Sequence, residues 1–252
     1  MLWMKKERLG WVMVLLVAAV LSACSSMPAK KVTVGAASAT PAIKDSGKGW
    51  WYARFQMAWP EGAAPLWHVD PFLAHEVVLP ALMLGGEKIE LWRFHRRAAR
   101  DASGHQFSFL FYADPATADR VFSSLQSSPS LNALKTAGIV VRDSYDDTAK
   151  ITRPDIEDTS DPNWSPAIQK SWPYFIMGVS QAWLDWIDQA TAQRMPEGKS
   201  LSWKDALAFY KTVNDEITAA WREEGEHAFL HHLNALFGYE PLVIHEKRLT
   251  TF

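Results

Sequence analysis

Alternation of apolar and polar residues predicts four strands in the first half of the folded chain. The stretch WWYARFQMAW at 50–59 alternates with period two and is rich in β-forming residues. Two strands are predicted within 89–115, joined by the turn RDASG, and IVVRDSYDD at 139–147 gives the fourth. The third strand presents three phenylalanines on one face, which is therefore its core face: Phe107, Phe109 and Phe111.

Two helical stretches separate these strands. The first, at 70–86, begins at Asp70 as a predicted N-cap, ends at a glycine pair, and contains Pro80, which is expected to kink it or end it early. The second, at 115–138, is expected to break at Pro129. The order β-α-β-β-α-β predicts a ferredoxin-like split βαβ arrangement, an α+β fold with one antiparallel sheet.

The rest of the chain is predicted to be mainly helical. A polar, turn-rich loop at 148–166 precedes a helix at 173–193, in which apolar residues recur at helical spacing. A longer helical pattern at 202–238 starts with a capping-box sequence at Ser202. The segment PLVIHEKRL at 241–249 is predicted to be a last strand.

The N-terminus has the three-part layout of a secretory signal. Basic residues come first, and Met4 is an alternative start that keeps all three of them. The apolar run at 11–20 is too short for a bilayer span, which needs about 20 residues. Small residues then lead to Cys24, the one cysteine of the chain.

The sequence LSAC at 21–24 resembles the bacterial lipobox. That resemblance implies acyl chains on Cys24, cleavage of the signal just before it, and Ser25 in place of the aspartate that retains such proteins in the inner membrane. The implied location is the cell outer membrane, lipid-anchored and facing the periplasm. The alternative is an ordinary signal cut after Ala23 that leaves an idle thiol.

Composition then defines the segments of the precursor. Residues 1–23 are the predicted lipoprotein signal, and 24–47 are rich in Ala, Ser, Thr, Pro, Lys and Gly, as expected of a flexible tether. Residues 48–147 form the predicted ferredoxin-like domain, and 148–252 form a loop and helical region packed on it. With Cys24 acylated, no thiol is left for disulfides, cysteine-based zinc sites or thiol catalysis.

Charge argues against a nucleic-acid partner. The formal charge of −2 becomes −4 once residues 1–23, which hold three basic residues and one acidic residue, are removed. Nucleic-acid binders usually carry a basic excess. Of the 13 tryptophans, 11 lie beyond the signal. Tryptophans can stack on sugars, but they also fill cores and line interfaces, and the structural role is the prediction here.

Residues 50–145 resemble the C-terminal domain of lantibiotic dehydratases and thiopeptide-type biosynthesis proteins. The similar features are an opening strand with Trp51-Tyr52, a helix running into VVLPAL, a WRFHRR strand, a hairpin ending in Gly104-His105, and a GIVVRDSY segment. That family eliminates glutamate from glutamylated Ser or Thr of a precursor peptide. The arginines that alternate in its next strand are absent from HQFSF, and TAKITRPDIEDT replaces its Arg-Tyr-Gly-Gly stretch. The resemblance therefore implies the fold and not the activity.

A basic patch is predicted on the second strand and its turn. Strand alternation places some of its members on one face, where they would hold a phosphate, a lipid head group or a partner's carboxylate. The alternative is a charged, solvated edge that prevents aggregation. The members are Arg93, His95, Arg96, Arg97 and Arg100.

Two histidine-containing stretches are candidates for chemistry. Glu223, His227 and His231 lie at i, i+4 and i+8 and would share a metal ion on one helix face, with Glu224 and His245 as further ligands. The alternative is a polar helix end with ordinary histidines. The stretch HVDPFLAHE offers His68, Asp70, His75 and Glu76, but an N-cap at Asp70 and solvent-facing His75 and Glu76 are the simpler interpretation.

These observations predict a binding or accessory role toward a protein or an envelope component, without a cofactor. The expected contact surface is the exposed part of the tryptophan and phenylalanine set together with the basic hairpin. The alternatives are a metal-dependent or other enzyme that uses the Glu223, His227 and His231 cluster, and a carrier of a lipid or small ligand.

Overall fold

The computed structural model describes residues 47–194 and 201–239. The predicted signal, Cys24, most of the tether and the predicted strand at 241–249 lie outside these residues. The described residues belong to one compact unit.

A four-stranded antiparallel sheet confirms the predicted α+β fold. The strands are β1 (Gly49–Met57), β2 (Leu91–Ala98), β3 (His105–Ala113) and β4 (Val140–Tyr145). Their order in the sheet is β2-β3-β1-β4, with β3 antiparallel to both β1 and β2. This order, with helices after β1 and β3, is that of a ferredoxin-like split βαβ unit.

The helix-covered face of the sheet carries the main core. Phe107, Phe109 and Phe111 have no exposed surface, as the alternation in β3 predicts. Phe94 of β2 and Phe55 of β1 lie beside them, with ring centroids 5.2 Å and 6.4 Å from that of Phe107. Burying a phenylalanine side chain contributes about 1.5–3 kcal/mol, so this cluster is a large stabilising element.

Helix α1 runs over 69–85 in three segments. An α-helical turn, Val69–Phe72, is followed by a π-helical segment, Leu73–Val78, and by α-helical Leu79–Gly85. The prediction that Asp70 is the N-cap is wrong, because the cap is His68 and Asp70 lies buried inside the first turn. Pro80 does not end the helix, since it falls at the start of the last segment, where its missing N–H costs little.

Helix α1 with the residues that follow it meets the length and composition criteria of a membrane-spanning helix. Within the 20-residue stretch Val69–Lys88, an 18-residue window has a mean hydropathy of 1.2, but 56% of that window is buried within the fold. That degree of burial is typical of a core helix packed on a sheet.

Two short helices connect β3 to β4. They are α2 (Pro115–Ser127) and α3 (Pro129–Thr136), which confirms the predicted break at Pro129. Asp114 caps α2 by accepting a 2.8 Å hydrogen bond from the N–H of Thr117. Each helix therefore begins with a side-chain cap followed by proline at its first position.

Helix α4 (Pro166–Arg194) begins seven residues earlier than predicted and contains Pro173. A proline inside a helix leaves the carbonyl four residues before it without its usual donor. Here that carbonyl belongs to Gln169, and the hydroxyl of Ser160 donates a 2.7 Å hydrogen bond to it. This outside donor explains why the helix continues through the proline.

The C-terminal helical part continues with α5 (Trp203–Ala220), a π-helical segment (Trp221–His231) and α6 (His232–Leu236). The N–H of Asp205 donates to the Ser202 side chain, which confirms the predicted cap. The hydrogen bonding around Gly225 is π-helical. Gly225 is buried there, close to the rings of Trp221 and Trp186.

Candidate functional site

Helix α1 brings a carboxylate to two basic side chains of the sheet. The Arg96 Nε donates a 2.8 Å hydrogen bond to Oδ2 of Asp70, and His105 Nε2 lies 3.3 Å from Asp70 Oδ1. Asp70 and His105 have no exposed surface. The three residues lie on the core face of the sheet, because Arg96 shares the alternation of Phe94 and His105 that of Phe107.

This buried set, the Asp70 cluster, is covered by aromatic rings. The indole of Trp67 lies 4.9 Å from the His105 ring, and the guanidinium of Arg96 lies 4.8 Å from the Trp183 ring centroid. Arg96 also donates a 2.9 Å hydrogen bond to the carbonyl of Trp67. Neither ring nitrogen of His105 has a hydrogen-bond partner with good geometry among the described residues. Through these contacts the Asp70 cluster connects β2, β3 and α1 with α4.

A second polar cluster, the His75 cluster, joins α1 to α4 and α5. Nδ1 of His75 lies 2.6 Å from the Tyr210 hydroxyl, and its Nε2 lies 3.3 Å from a carboxylate oxygen of Asp188. The Tyr210 hydroxyl donates to Glu76. The prediction that His75 and Glu76 face solvent is wrong, since their side chains are only 16% and 32% exposed.

Charges in the His75 cluster stabilise one another. Burial alone would lower the pKa of His75, but contacts with Glu76 and Asp188 outweigh it and raise the pKa above its ordinary value. The hydrogen bond from His75 lowers the pKa of Glu76. Burial, and then the Glu76 carboxylate, raise the pKa of Tyr210 far above its ordinary range, so its hydroxyl stays protonated and acts as a donor.

The π-helical segment of α1 contains both His75 and Glu76. A π-helical turn holds more residues than an α-helical turn, so it changes the direction of the side chains on it. Such segments are frequent at functional sites. The sequence carries no signal for this segment. For the Asp70 cluster, one signal exists: Arg96 on the core face of β2 indicates the need for a buried partner.

The arginines of the predicted basic patch all contact groups of the chain itself. Arg93 donates to the carbonyl of Thr159 and Arg96 to Asp70, while Arg97 pairs with Asp101. Arg100 donates to three loop carbonyls, those of Trp59, Pro60 and Ala63. An anion at this hairpin would have to compete with these contacts, so the anion site stays a prediction.

Within β2, His95 is the exposed member of that patch. It shares the outer face of β2 with Arg93 and Arg97, as strand alternation predicts. Loss of hydration, and then the positive charges of Arg93 and Arg97, lower its pKa. His95 is therefore neutral near pH 7 and adds no charge to an anion site.

The predicted metal residues Glu223, His227 and His231 fall in the exposed π-helical segment. The rings of His227 and His231 stack with centroids 4.8 Å apart and an interplanar angle of 21°. Among the described residues, no group of three His, Cys, Asp or Glu side chains is placed to hold a metal ion. The metal site stays a prediction, and His245 lies outside the described residues.

An apolar groove lies between α4, α5 and the π-helical segment. Its volume is about 310 Å³. Trp186, Ala190, Ile217 and Phe229 supply apolar walls, and Glu224 lies among the lining residues. An apolar groove with an acidic edge fits an apolar side chain next to a basic one.

Comparisons with known proteins do not assign a function. No family model matches this chain, and no curated protein matches it. It is similar to the structure of a dimeric ferredoxin-like protein of unknown function from Thermobifida fusca YX, with 15% identity over 42% of this chain and 93% of that chain. The TM-score is 0.23, so this similarity carries no argument about this chain.

Proposed function

We propose that this chain is a lipoprotein of the bacterial outer membrane, anchored through acylated Cys24 and facing the periplasm, whose folded domain binds a protein or another envelope component. The lipobox-like sequence at 21–24 supports the anchor. Several acyl chains hold a protein on a membrane far more firmly than one.

The observation that carries the binding role is a set of exposed apolar side chains near the end of the described chain. They form what we name the C-terminal apolar surface: Phe229, Leu230, Leu236, Phe237 and Tyr239, exposed by 46%, 48%, 83%, 68% and 59%. Large exposed apolar patches are typical of protein interaction sites. The surface shares Phe229 with the groove of 310 Å³, so a partner that covers it reaches the groove.

The Asp70 cluster and the His75 cluster support the binding role by holding the helices that line the groove in place. Their charged groups are mostly paired with one another and link the sheet to α4 and α5. Such links fix the position of the helices that carry the groove, and a rigid surface binds with a smaller loss of conformational entropy.

Photo-crosslinking in intact cells tests this proposal. A photoreactive residue at Leu236, which is 83% exposed, should yield one defined adduct, and the matched position Met83 on α1, which is 74% exposed, should not. The adduct should disappear when Phe237→Gln is added. The mass of the mature chain, together with release of Cys24→Ser from the membrane fraction, tests the anchor separately.

A result against the binding role would be equal labelling at both positions, or labelling that survives Phe237→Gln. A mature chain without acyl groups would contradict the anchor. The binding role and the lipid anchor can therefore be contradicted separately.

A further inference from the structure

The first half of α4 carries an exposed apolar stripe that the proposed partner surface does not include. Its residues follow helical spacing at i, i+4, i+7 and i+11, and we name them the α4 stripe: Ile168, Trp172, Phe175 and Val179. Three of them are strongly exposed, with Ile168 at 52%, Phe175 at 47% and Val179 at 46%. Tyr174 beside the stripe is 54% exposed.

The stripe lies in a stretch that is nearly free of charge. Residues 161–179 contain one acidic and one basic residue, Asp161 and Lys170. Trp164, Trp172 and Phe175 form a continuous aromatic set, with ring centroids 5.0 Å and 5.8 Å apart. Tryptophan and tyrosine side chains are enriched at the membrane–water interface, where one end of the ring system is apolar and the other is hydrated.

The start of the folded chain lies close to the loop that leads into the first half of α4. The N–H of Trp50 donates a 2.9 Å hydrogen bond to the carbonyl of Arg153, and its indole donates a 2.8 Å bond to the carbonyl of Ile156. From there, Ser160 bonds to Gln169 of α4, one residue from Ile168. Met177 of the same half of α4 packs against the apolar cluster that contains Trp50, on the helix face opposite the stripe.

The predicted tether therefore enters the domain near the first half of α4, the helix that carries the stripe on its exposed face. A flexible chain with the length of residues 24–47 has a root-mean-square span of about 27 Å. Over such a distance, a linked surface meets its target at an effective concentration on the order of millimolar. Weak interfacial binding is then enough to keep the stripe on the bilayer.

We infer that the α4 stripe lies in the head-group region of the membrane that holds the lipid anchor, which orients the C-terminal apolar surface toward its partner. This inference rests on the proposed anchor. The low charge of the stretch favours a lipid interface over a protein partner, because protein interfaces usually have a polar and charged rim.

Depth-dependent fluorescence quenching tests the inference on the full acylated chain. Gly178 is an exposed reporter position within the stripe, and an added Cβ there meets no atom within 4 Å. With Cys24 acylated, Gly178→Cys is the single free thiol for a polarity-sensitive dye. The matched control is Val141→Cys on β4, which is 57% exposed at the sheet edge opposite β2 and α4.

The chain is reconstituted in vesicles of phosphatidylethanolamine and phosphatidylglycerol that contain a lipid with a nitroxide quencher on its acyl chain. We expect a loss of fluorescence at Gly178→Cys and none at Val141→Cys. The loss should disappear when Ile168→Gln and Phe175→Gln are added, since these changes remove apolar groups from the stripe and leave its backbone unchanged.

Equal quenching at both positions, or quenching that persists in the double variant, would overturn the inference. A blue shift of the dye emission at Gly178→Cys without quenching would indicate contact with protein rather than lipid, and would also overturn the inference. A mature chain without acyl groups would contradict the proposed anchor instead, and quenching of the unacylated chain by added vesicles would still support the lipid-facing role of the stripe.

Discussion

The Arg96 guanidinium donates a 2.8 Å hydrogen bond to the carboxylate of Asp70, which has no exposed surface, while the Arg96 side chain is 29% exposed. A buried carboxylate is stable only with a compensating partner, because transfer of a charge out of water is costly. His105 lies against the same carboxylate but makes no hydrogen bond of good geometry to it. Arg96 is therefore the main polar partner of the Asp70 carboxylate inside the core.

Replacement of one member of this pair should destabilise the fold strongly. Arg96→Ala leaves the Asp70 charge uncompensated, and we expect the free energy of unfolding to fall by about 3–5 kcal/mol. Urea denaturation followed by tryptophan fluorescence measures the loss. The double variant Asp70→Ala/Arg96→Ala should lose less than the sum of the two single variants, because it removes both charges.

The matched control for this prediction is Arg97→Ala. Arg97 pairs with Asp101 in an exposed turn, where screening by water makes the pair weak, so little change is expected. Equal losses for Arg96→Ala and Arg97→Ala would contradict the role assigned to the Asp70 cluster.

Local pattern predicts the elements of this fold but not its polar clusters. The four strands follow from period-two alternation, and the break at Pro129 follows from the conformational restriction of proline. The pairs Asp70–Arg96 and His75–Tyr210 join residues 26 and 135 positions apart, so they depend on packing that no local window contains. The continuation of α4 through Pro173 likewise depends on a donor outside the helix, the Ser160 hydroxyl that bonds to Gln169.

The His75 cluster should make stability depend on pH. The pKa of His75 is raised above its ordinary value of 6.5 in the folded chain, so its contribution is complete below that pH and is lost as the pH rises through the folded-state pKa. The pKa of Glu76 is lowered below its ordinary value of 4.5, so its contribution is complete above that pH and is lost as the pH falls through its folded-state pKa. The pair therefore stabilises most between these two values.

Denaturation at a series of pH values checks this dependence. The wild-type chain should lose stability above pH 6.5, and His75→Gln should show a smaller loss over the same range, because glutamine does not titrate. His95→Gln is the control, since the lowered pKa of His95 gives the opposite sign and acts at lower pH. The prediction fails if wild type and His75→Gln have parallel pH profiles.

Metal addition tests the alternative enzyme hypothesis. Within 47–194 and 201–239 no triple of His, Cys, Asp and Glu side chains is placed for a metal. Equal melting temperatures and equal native masses in zinc and in chelator would contradict the predicted metal site. A zinc-dependent rise in melting temperature that His227→Ala removes would instead favour the metal site of Glu223, His227 and His231.

Two glycines should respond in opposite ways to the same substitution. Gly178 lies in the exposed part of α4 with open space around an added Cβ, so Gly178→Ala should stabilise the chain by about 0.5–1 kcal/mol. Gly225 is buried, and an added Cβ would lie 2.8 Å from the Trp221 ring and 3.0 Å from the Trp186 ring. Gly225→Ala should therefore destabilise the chain by about 1–3 kcal/mol through overpacking.

The ring of Trp221 should be the main source of the cost at Gly225, since it has the shorter of the two contacts. In that case Gly225→Ala combined with Trp221→Leu costs less than the two separate changes added together, because the smaller side chain makes room for the methyl group. Strictly additive costs would place the strain in the backbone of the π-helical segment rather than at Trp221. That result would mean that Gly225 is required for the helical geometry, and not for the close packing of α4 against the segment that carries Phe229.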